Sequence, residues 1–89
     1  MSATLPNMVN VTVRLFGPAI DMVGCESLAY ALVEPASLEG LCEMLGARYP
    51  KLGANLAYMR FAVNGEYAEA SATLAEGDEV AVIPPVAGG

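Results

Sequence analysis

The chain has 89 residues, of which 55% are hydrophobic and 16% charged, and its formal net charge is -6 with only four cations. A chain of this length and composition forms one domain with a single modest core, which excludes the intrinsically disordered class. The shortage of basic residues argues against nucleic acid or an anionic membrane as a partner, and it favours a basic protein partner.

The sequence also limits where the protein acts. Its apolar runs are short and interrupted, so none approaches the roughly 20 residues needed to span a bilayer. Met1 to Met8 lack the basic and apolar regions of a secretory signal. We therefore expect a cytoplasmic protein.

The sequence has few side chains of the kinds that catalyse reactions or bind metals. There is no histidine, which removes the usual general base and the commonest metal ligand. The spacing of the two cysteines, Cys25 and Cys42, matches no metal or redox motif. We expect Cys42 to be a small buried hydrophobe and Cys25 to lie in an exposed turn. No metal site and no resident cofactor are expected.

The first half of the chain predicts two strands and a helix. Apolar residues alternate with others from Val9 to Phe16, the period of a strand with one face in the core. A loop that begins at Gly17-Pro18 leads to a second strand over residues 27–33, paired with the first as a hairpin. Ser37 is a candidate N-cap. An apolar stripe at helical spacing follows as far as Pro50, where the helix is expected to end, and consists of Leu38, Leu41, Cys42, Leu45 and Tyr49.

The second half predicts a strand over residues 60–63, a tight hairpin at Asn64-Gly65 and a short return strand. Residues 75–78 form a turn, with Leu74 before it as a core anchor, and the final strand covers residues 79–83. The expected architecture is therefore α+β, with one main helix packed on one face of a mixed sheet of four or five strands. The predicted domain comprises residues 1–89, with a loose N-terminus at 1–7 and a projecting tail at 84–89.

The C-terminal segment is the candidate functional element. Val80 and Val82 fall on one face of the last strand and Ala81 and Ile83 on the other, so we expect a central strand covered on both sides. The prolines that follow, at 84–85, cannot continue the ladder and favour a stiff, extended path.

The chain then ends in glycine. Gly88 and Gly89 lack a Cβ, so the backbone can enter a narrow channel and the terminal carboxylate is open to attack. The alternative is a frayed terminus without a role.

A set of short segments spread along the chain forms one recognisable pattern. The segments are Val13-Arg14-Leu15-Phe16-Gly17, Val23-Gly24, Ala47-Arg48-Tyr49-Pro50, Val63-Asn64-Gly65-Glu66-Tyr67, Leu74, Glu76-Gly77-Asp78-Glu79-Val80-Ala81 and Pro84-Pro85-Val86-Ala87-Gly88-Gly89. In this pattern the chain, from Val9 onward, resembles the small subunit of molybdopterin synthase. The run from the Gly77-Asp78 turn to the diglycine is the most specific part of the resemblance.

This resemblance implies the ubiquitin-like β-grasp fold and a sulfur carrier in molybdenum cofactor biosynthesis. An adenylyltransferase that uses ATP would activate the carboxylate of Gly89, and a sulfurtransferase would supply the sulfur of a thiocarboxylate. The tail would then enter the large subunit of molybdopterin synthase, in a heterotetramer, and donate sulfur to precursor Z to form the dithiolene of molybdopterin. No catalytic side chain of this chain is implied.

The resemblance also assigns residues. Gly89 would be the reacting residue, and the segment that the partner binds would be Pro84, Pro85, Val86, Ala87 and Gly88. Phe16, Tyr67 and Ile83 would form an exposed apolar patch against the partners. The alternative for Phe16 and Ile83 is a place in the core. The chain departs from the family pattern at Ile83, where an aromatic is common, and at Ile20, where an arginine often precedes an acid.

Other functions fit the same pattern. The sulfur acceptor could instead belong to thiazole, cysteine or tRNA thiolation chemistry. A ubiquitin-like protein modifier would form isopeptide bonds through Gly89, and a plain binding module would leave the tail idle. The identity of the acceptor separates these alternatives.

Overall fold

A computed structural model of the chain describes residues 7–85. Residues 1–6 and 86–89 lie outside the described range, which places most of the predicted loose N-terminus and the last four residues of the predicted tail beyond it. The elements in chain order are β1 Met8–Leu15, α1 Pro18–Val23, β2 Ser27–Val33, β3 Ala36–Ser37, α2 Leu38–Arg48, α3 Pro50–Gly53, a 3-10 helix Leu56–Tyr58, β4 Arg60–Val63, β5 Glu66–Tyr67, β6 Thr73–Leu74 and β7 Glu79–Ile83.

The main sheet is mixed and five-stranded, in the order β2-β1-β7-β4-β5. β7 lies at its centre, parallel to β1 and antiparallel to β4, whereas β1 and β2 form the predicted antiparallel hairpin. A separate short ladder joins β3 to β6. The α+β architecture with one main helix on a mixed sheet is thereby confirmed. The β3–β6 ladder was not predicted, because two-residue strands carry no periodicity.

The core lies between the sheet and α2. Residues of β1 alternate strictly between exposed and buried, as the sequence predicted. Burying each valine or leucine side chain contributes roughly 1.5–3 kcal/mol, so this layer is the main source of stability. The largest of the fully buried side chains are Val13, Leu38, Leu41, Leu45, Leu52, Val80 and Val82.

Two predicted local signals are confirmed. The Ser37 hydroxyl accepts a hydrogen bond of 3.1 Å from the Gly40 amide, which satisfies one of the free donors at the start of α2. Asn64 and Gly65 both have positive φ, of 51° and 86°, as a tight hairpin turn between β4 and β5 requires.

The prediction of a loop after Gly17-Pro18 is wrong, because the helix α1 occupies Pro18–Val23. Its start has a proline in the first turn, where the missing N–H is unused in a helix. Its end has Gly24 at φ 99°, a left-handed cap whose amide bonds to the Ile20 carbonyl. The helix is too short for its apolar residues to establish a helical period. α2 ends at Arg48, and Pro50 is the first residue of α3, which was also not predicted.

Gly46 lies inside α2, where glycine is a poor helix former, and the close contact between α2 and α3 explains its presence there. A Cβ on Gly46 would lie 3.2 Å from the Gly53 Cα, and one on Gly53 would lie 2.7 Å from the Gly46 carbonyl oxygen. The first distance is a tight contact and the second a clash, and both involve backbone, which cannot rotate away. The two helices can approach this closely only because both positions lack a side chain.

We expect Gly53→Ala to lower the free energy of unfolding by about 1–3 kcal/mol, because it overpacks this contact. Gly40→Ala is the matched control. Its Cβ would meet only the Ser37 hydroxyl at 3.4 Å, and alanine is the better helix former by up to about 1 kcal/mol. Urea unfolding of the two variants measures the difference. Equal stability of the two variants would refute the close-contact explanation.

Within residues 7–85, no helix combines the length and apolar character needed to cross a membrane.

Candidate partner surface and C-terminal tail

The strand that leads into the tail is held at the centre of the sheet. Val80 and Val82 are fully buried, and β7 is paired on both sides. The Asn64 side chain fixes its start, donating to the Asp78 carboxylate at 2.9 Å and accepting from the Glu79 amide at 3.0 Å. The base of the tail is therefore a rigid part of the domain.

The prediction that both faces of β7 are covered is wrong. One face packs on the core, but Ala81 and Ile83 are only half-buried, because no element of the described chain lies over them. We call this side, formed by the strand residues that point away from α2, the open sheet face. An apolar face that the chain does not cover is a candidate binding surface.

The structure brings Phe16, Tyr67 and Ile83 together on the open sheet face. They border one shallow concavity of about 520 Å³, whose remaining lining is Ala62, Gly65, Glu79 and Ala81. Phe16 and Tyr67 are 43% and 69% exposed, so they are surface residues rather than members of the core. Their role as partner anchors remains a prediction.

Two arginines on the open sheet face were not predicted as site residues. The Arg14 guanidinium lies 5.8 Å from the centre of the Phe16 ring and 3.7 Å from the Glu79 carboxylate. The Arg60 guanidinium lies 5.4 Å from the centre of the Tyr67 ring. Both are cation–π distances, so each predicted aromatic anchor is partly covered by a cation. The alternation of β1 had already placed Arg14 opposite the core face.

The tail leaves the sheet beside α1. Pro84 is half-buried and Pro85 exposed, and both border a concavity that Pro18, Met22, Asn55, Tyr58 and Met59 also line. The predicted tail residues Val86, Ala87, Gly88 and Gly89 lie outside the described residues, so their path and their reactivity remain predictions.

The described part of the chain contains no group of three or more His, Cys, Asp or Glu side chains that could hold a metal. Its two cysteines are free, with Cys25 exposed and Cys42 half-buried on α2. Burial raises the pKa of the Cys42 thiol to about 11, and the negative charge of Glu39 acts in the same direction. Neither cysteine lines the concavity that Pro84 and Pro85 border.

We expect a thiol reagent at pH 8 to modify Cys25 well before Cys42 in the folded protein. With a pKa of about 11, roughly one Cys42 thiol in a thousand is the reactive thiolate at that pH. Peptide mapping after timed alkylation measures the order, and unfolding in urea should remove the difference. Faster labelling of Cys42 in the native protein would contradict the assigned burial.

Known proteins match this fold and sequence. A family model described as the ThiS family matches residues 13–89. The molybdopterin synthase sulfur carrier subunit of Chlamydomonas reinhardtii is 31% identical over 83 residues, which cover 91% of this chain and 100% of the relative.

Three solved structures share the fold. One from Pyrococcus furiosus, with the provisional name molybdopterin converting factor subunit 1, has a TM-score of 0.83 and 30% identity, covering 88% of this chain and 99% of that one. The complex of subunits 1 and 2 of molybdopterin-converting factor from Helicobacter pylori contains a chain with a TM-score of 0.65 and 27% identity, and the match covers 91% of this chain and 100% of that one. SAMP1 from Haloferax volcanii has a TM-score of 0.81, and the match covers 90% of this chain and 99% of that one. At 24% identity, this third likeness shows the fold alone.

The β-grasp architecture, the family match through residue 89 and a relative of 31% identity over nearly the whole chain lead to one conclusion. The chain belongs to the ThiS family, and within it to the group of the molybdopterin synthase sulfur carrier subunits.

Proposed function

We propose that this protein is the sulfur carrier subunit of a molybdopterin synthase and that the carboxylate of Gly89 carries the sulfur. The observation that carries the proposal is the match to the family through residue 89, combined with a central, fully paired β7 that leads directly to Pro84 and Pro85. A rigid base and an extended tail place a terminal group at a defined distance from the docked domain, which is how a tethered reagent gains effective concentration.

The chemistry requires activation from outside the chain. A carboxylate is a poor electrophile, so an adenylyltransferase joins the Gly89 carboxylate to AMP from ATP and releases pyrophosphate. The persulfide of a sulfurtransferase then attacks the acyl carbon and displaces AMP, and a thiol cleaves the resulting acyl disulfide, which releases the thiocarboxylate and forms a disulfide with the sulfurtransferase sulfur. The thiocarboxylate sulfur is a strong nucleophile, and in the large subunit of the synthase it attacks precursor Z on the way to the dithiolene. The domain contributes position, and the partners contribute the catalytic side chains.

The open sheet face is the proposed docking surface for the large subunit. The solved complex of subunits 1 and 2 from Helicobacter pylori supports a partner of this kind, and a heterotetramer is the proposed assembly. Phe16, Tyr67 and Ile83 are the proposed anchors, because they are large apolar side chains around one concavity next to the start of the tail. Pro84 to Gly88 would thread into the partner's active site.

Reconstitution tests the proposal. The thiocarboxylate form of the protein is mixed with the large subunit from the same organism and with precursor Z, and molybdopterin is measured. Stoichiometric formation of molybdopterin, absent with the unmodified carboxylate form, is the expected result. Failure with an intact thiocarboxylate would overturn the proposal.

The same experiment separates the alternatives. A carrier for thiazole, cysteine or tRNA thiolation would keep its sulfur in the presence of precursor Z and release it to the other acceptor. A protein modifier would form isopeptide adducts through Gly89 in a cell extract. The fold shared with SAMP1 does not decide between them, since one fold supports many functions.

A further inference from the structure

The open sheet face differs in charge from the rest of the protein. The whole chain has ten acidic and four basic residues. Among the side chains that the strands of the main sheet direct to the open face, Arg14 and Arg60 are the cations and Glu79 is the anion. The carboxylates of Glu76 and Asp78, in the adjoining turn, hydrogen-bond to Asn10 and Asn64 and keep their negative charge. The strands themselves therefore direct two cations and one anion to the face at the start of the tail, in a protein whose net charge is -6.

The two arginines are not equivalent. Arg14 has the Glu79 carboxylate at 3.7 Å, so its charge is partly neutralised. For Arg60, no carboxylate of residues 7–85 lies within ion-pair distance. Its guanidinium stacks on Tyr67, and Arg60 lies directly across from Ile83 in the pairing of β4 with β7. Arg60 thus sits between two proposed anchors, beside the point at which the tail leaves the sheet.

A partner that covers this face must either place a negative charge opposite Arg60 or bury its guanidinium without one. Taking an arginine out of water without a counter-charge is costly, whereas a carboxylate meets its planar group through two parallel hydrogen bonds. Stacking on Tyr67 limits the directions in which the guanidinium points and so reduces the ordering needed on binding. An apolar partner surface with nothing opposite Arg60 would be disfavoured.

We propose that Arg60 is a specificity-determining contact, and that the large subunit presents a carboxylate at the rim of the apolar socket that receives Phe16 and Ile83. The inference rests on the proposed function and adds the charge pattern of the partner. It differs from the expectation of a basic partner drawn from net charge alone, since the acidic chain would meet an acidic patch at this one place. A large subunit with a neutral or basic rim there would be rejected.

Binding of the large subunit from the same organism tests the inference, measured by titration calorimetry with Arg60→Met, Arg60→Lys and Arg60→Glu. Methionine keeps much of the apolar stem and removes the charge. Arg48→Met is the matched control, because Arg48 is also exposed and also stacks on a tyrosine, at 5.7 Å from the Tyr49 ring, but lies on α2 away from the open face.

We expect Arg60→Met to weaken binding about tenfold and Arg60→Glu about a hundredfold, with Arg60→Lys between wild type and Arg60→Met and Arg48→Met unchanged. The salt dependence of binding should be smaller for Arg60→Met than for wild type. Equal affinities for Arg60→Met and Arg48→Met would overturn this inference and leave the proposed function intact. No binding by the unsubstituted protein would overturn both.

Discussion

One residue added after Gly89 is expected to lower the rate of molybdopterin formation by at least about a hundredfold. The addition moves the carboxylate by roughly 3.3–3.6 Å along the tail, and displacements of about 1 Å in a reacting group can already cost a hundredfold. An added side chain would also crowd the group that Gly89 leaves open. Molybdenum-enzyme activity in cells that carry only the extended protein measures the effect.

The matched control adds the same residue before Met1. The thermal unfolding temperature of both extended proteins should equal that of wild type, because the extension after Gly89 lies beyond β7 and the core. Full activity of the C-terminally extended protein, with an intact extension by mass, would show that the terminal carboxylate is not the reacting group.

Phe16→Ala is expected to weaken binding of the large subunit about 30-fold or more, the effect of losing roughly 2 kcal/mol at an interface anchor. Phe16 is 43% exposed and lies outside the core cluster, so the substitution should cost the folded protein less than the loss of a core side chain. The loss in binding should therefore exceed the loss of stability that the unfolding temperature reports. Titration calorimetry and thermal unfolding of the same preparation separate the two effects.

Met44→Ala is the control for that substitution. Met44 is also 43% exposed, but it lies on α2, on the side of the sheet opposite the open face. Its replacement should leave binding unchanged. Comparable losses from Phe16→Ala and Met44→Ala would place the docking surface elsewhere.

The parts of the fold that the sequence predicts are those in which short-range chemistry and tertiary packing agree. The predicted alternation of exposed and buried residues in β1 is present in the structure, because one face of that strand packs on α2 and the other faces outward. Asn64-Gly65 and Ser37 are predictable because a positive φ and a free helical amide are local requirements. These signals do not depend on the rest of the chain.

The parts that escaped prediction depend on distant residues or on very short elements. The glycine at position 46 lowers the helix propensity of α2, and its reason lies in Gly53, which is seven residues away and packs against it. α1 carried boundary signals at Pro18 and Gly24, but its six residues are too few for a clear period.

The largest error concerned the face of β7 that points away from α2. Ala81 and Ile83 look like residues of a strand buried on both sides, because a face that awaits a partner has the same apolar composition as a face inside the core. The sequence alone cannot separate these two cases, whereas the accessibility of Ala81 and Ile83 does so. Net charge is a similarly coarse guide to a docking surface, since it averages over a surface whose charges are unevenly placed.

In the proposed function, the reacting group of this protein is the carboxyl group of Gly89, converted to a thiocarboxylate. The intact mass of the protein purified from its native host, followed by fragmentation of the C-terminal peptide, tests this most directly. The account predicts a population heavier by the difference between one sulfur and one oxygen, with the change located at Gly89. An unmodified terminus in cells that lack the large subunit but keep the adenylyltransferase and the sulfurtransferase, where the sulfur-loaded carrier should accumulate, would contradict it.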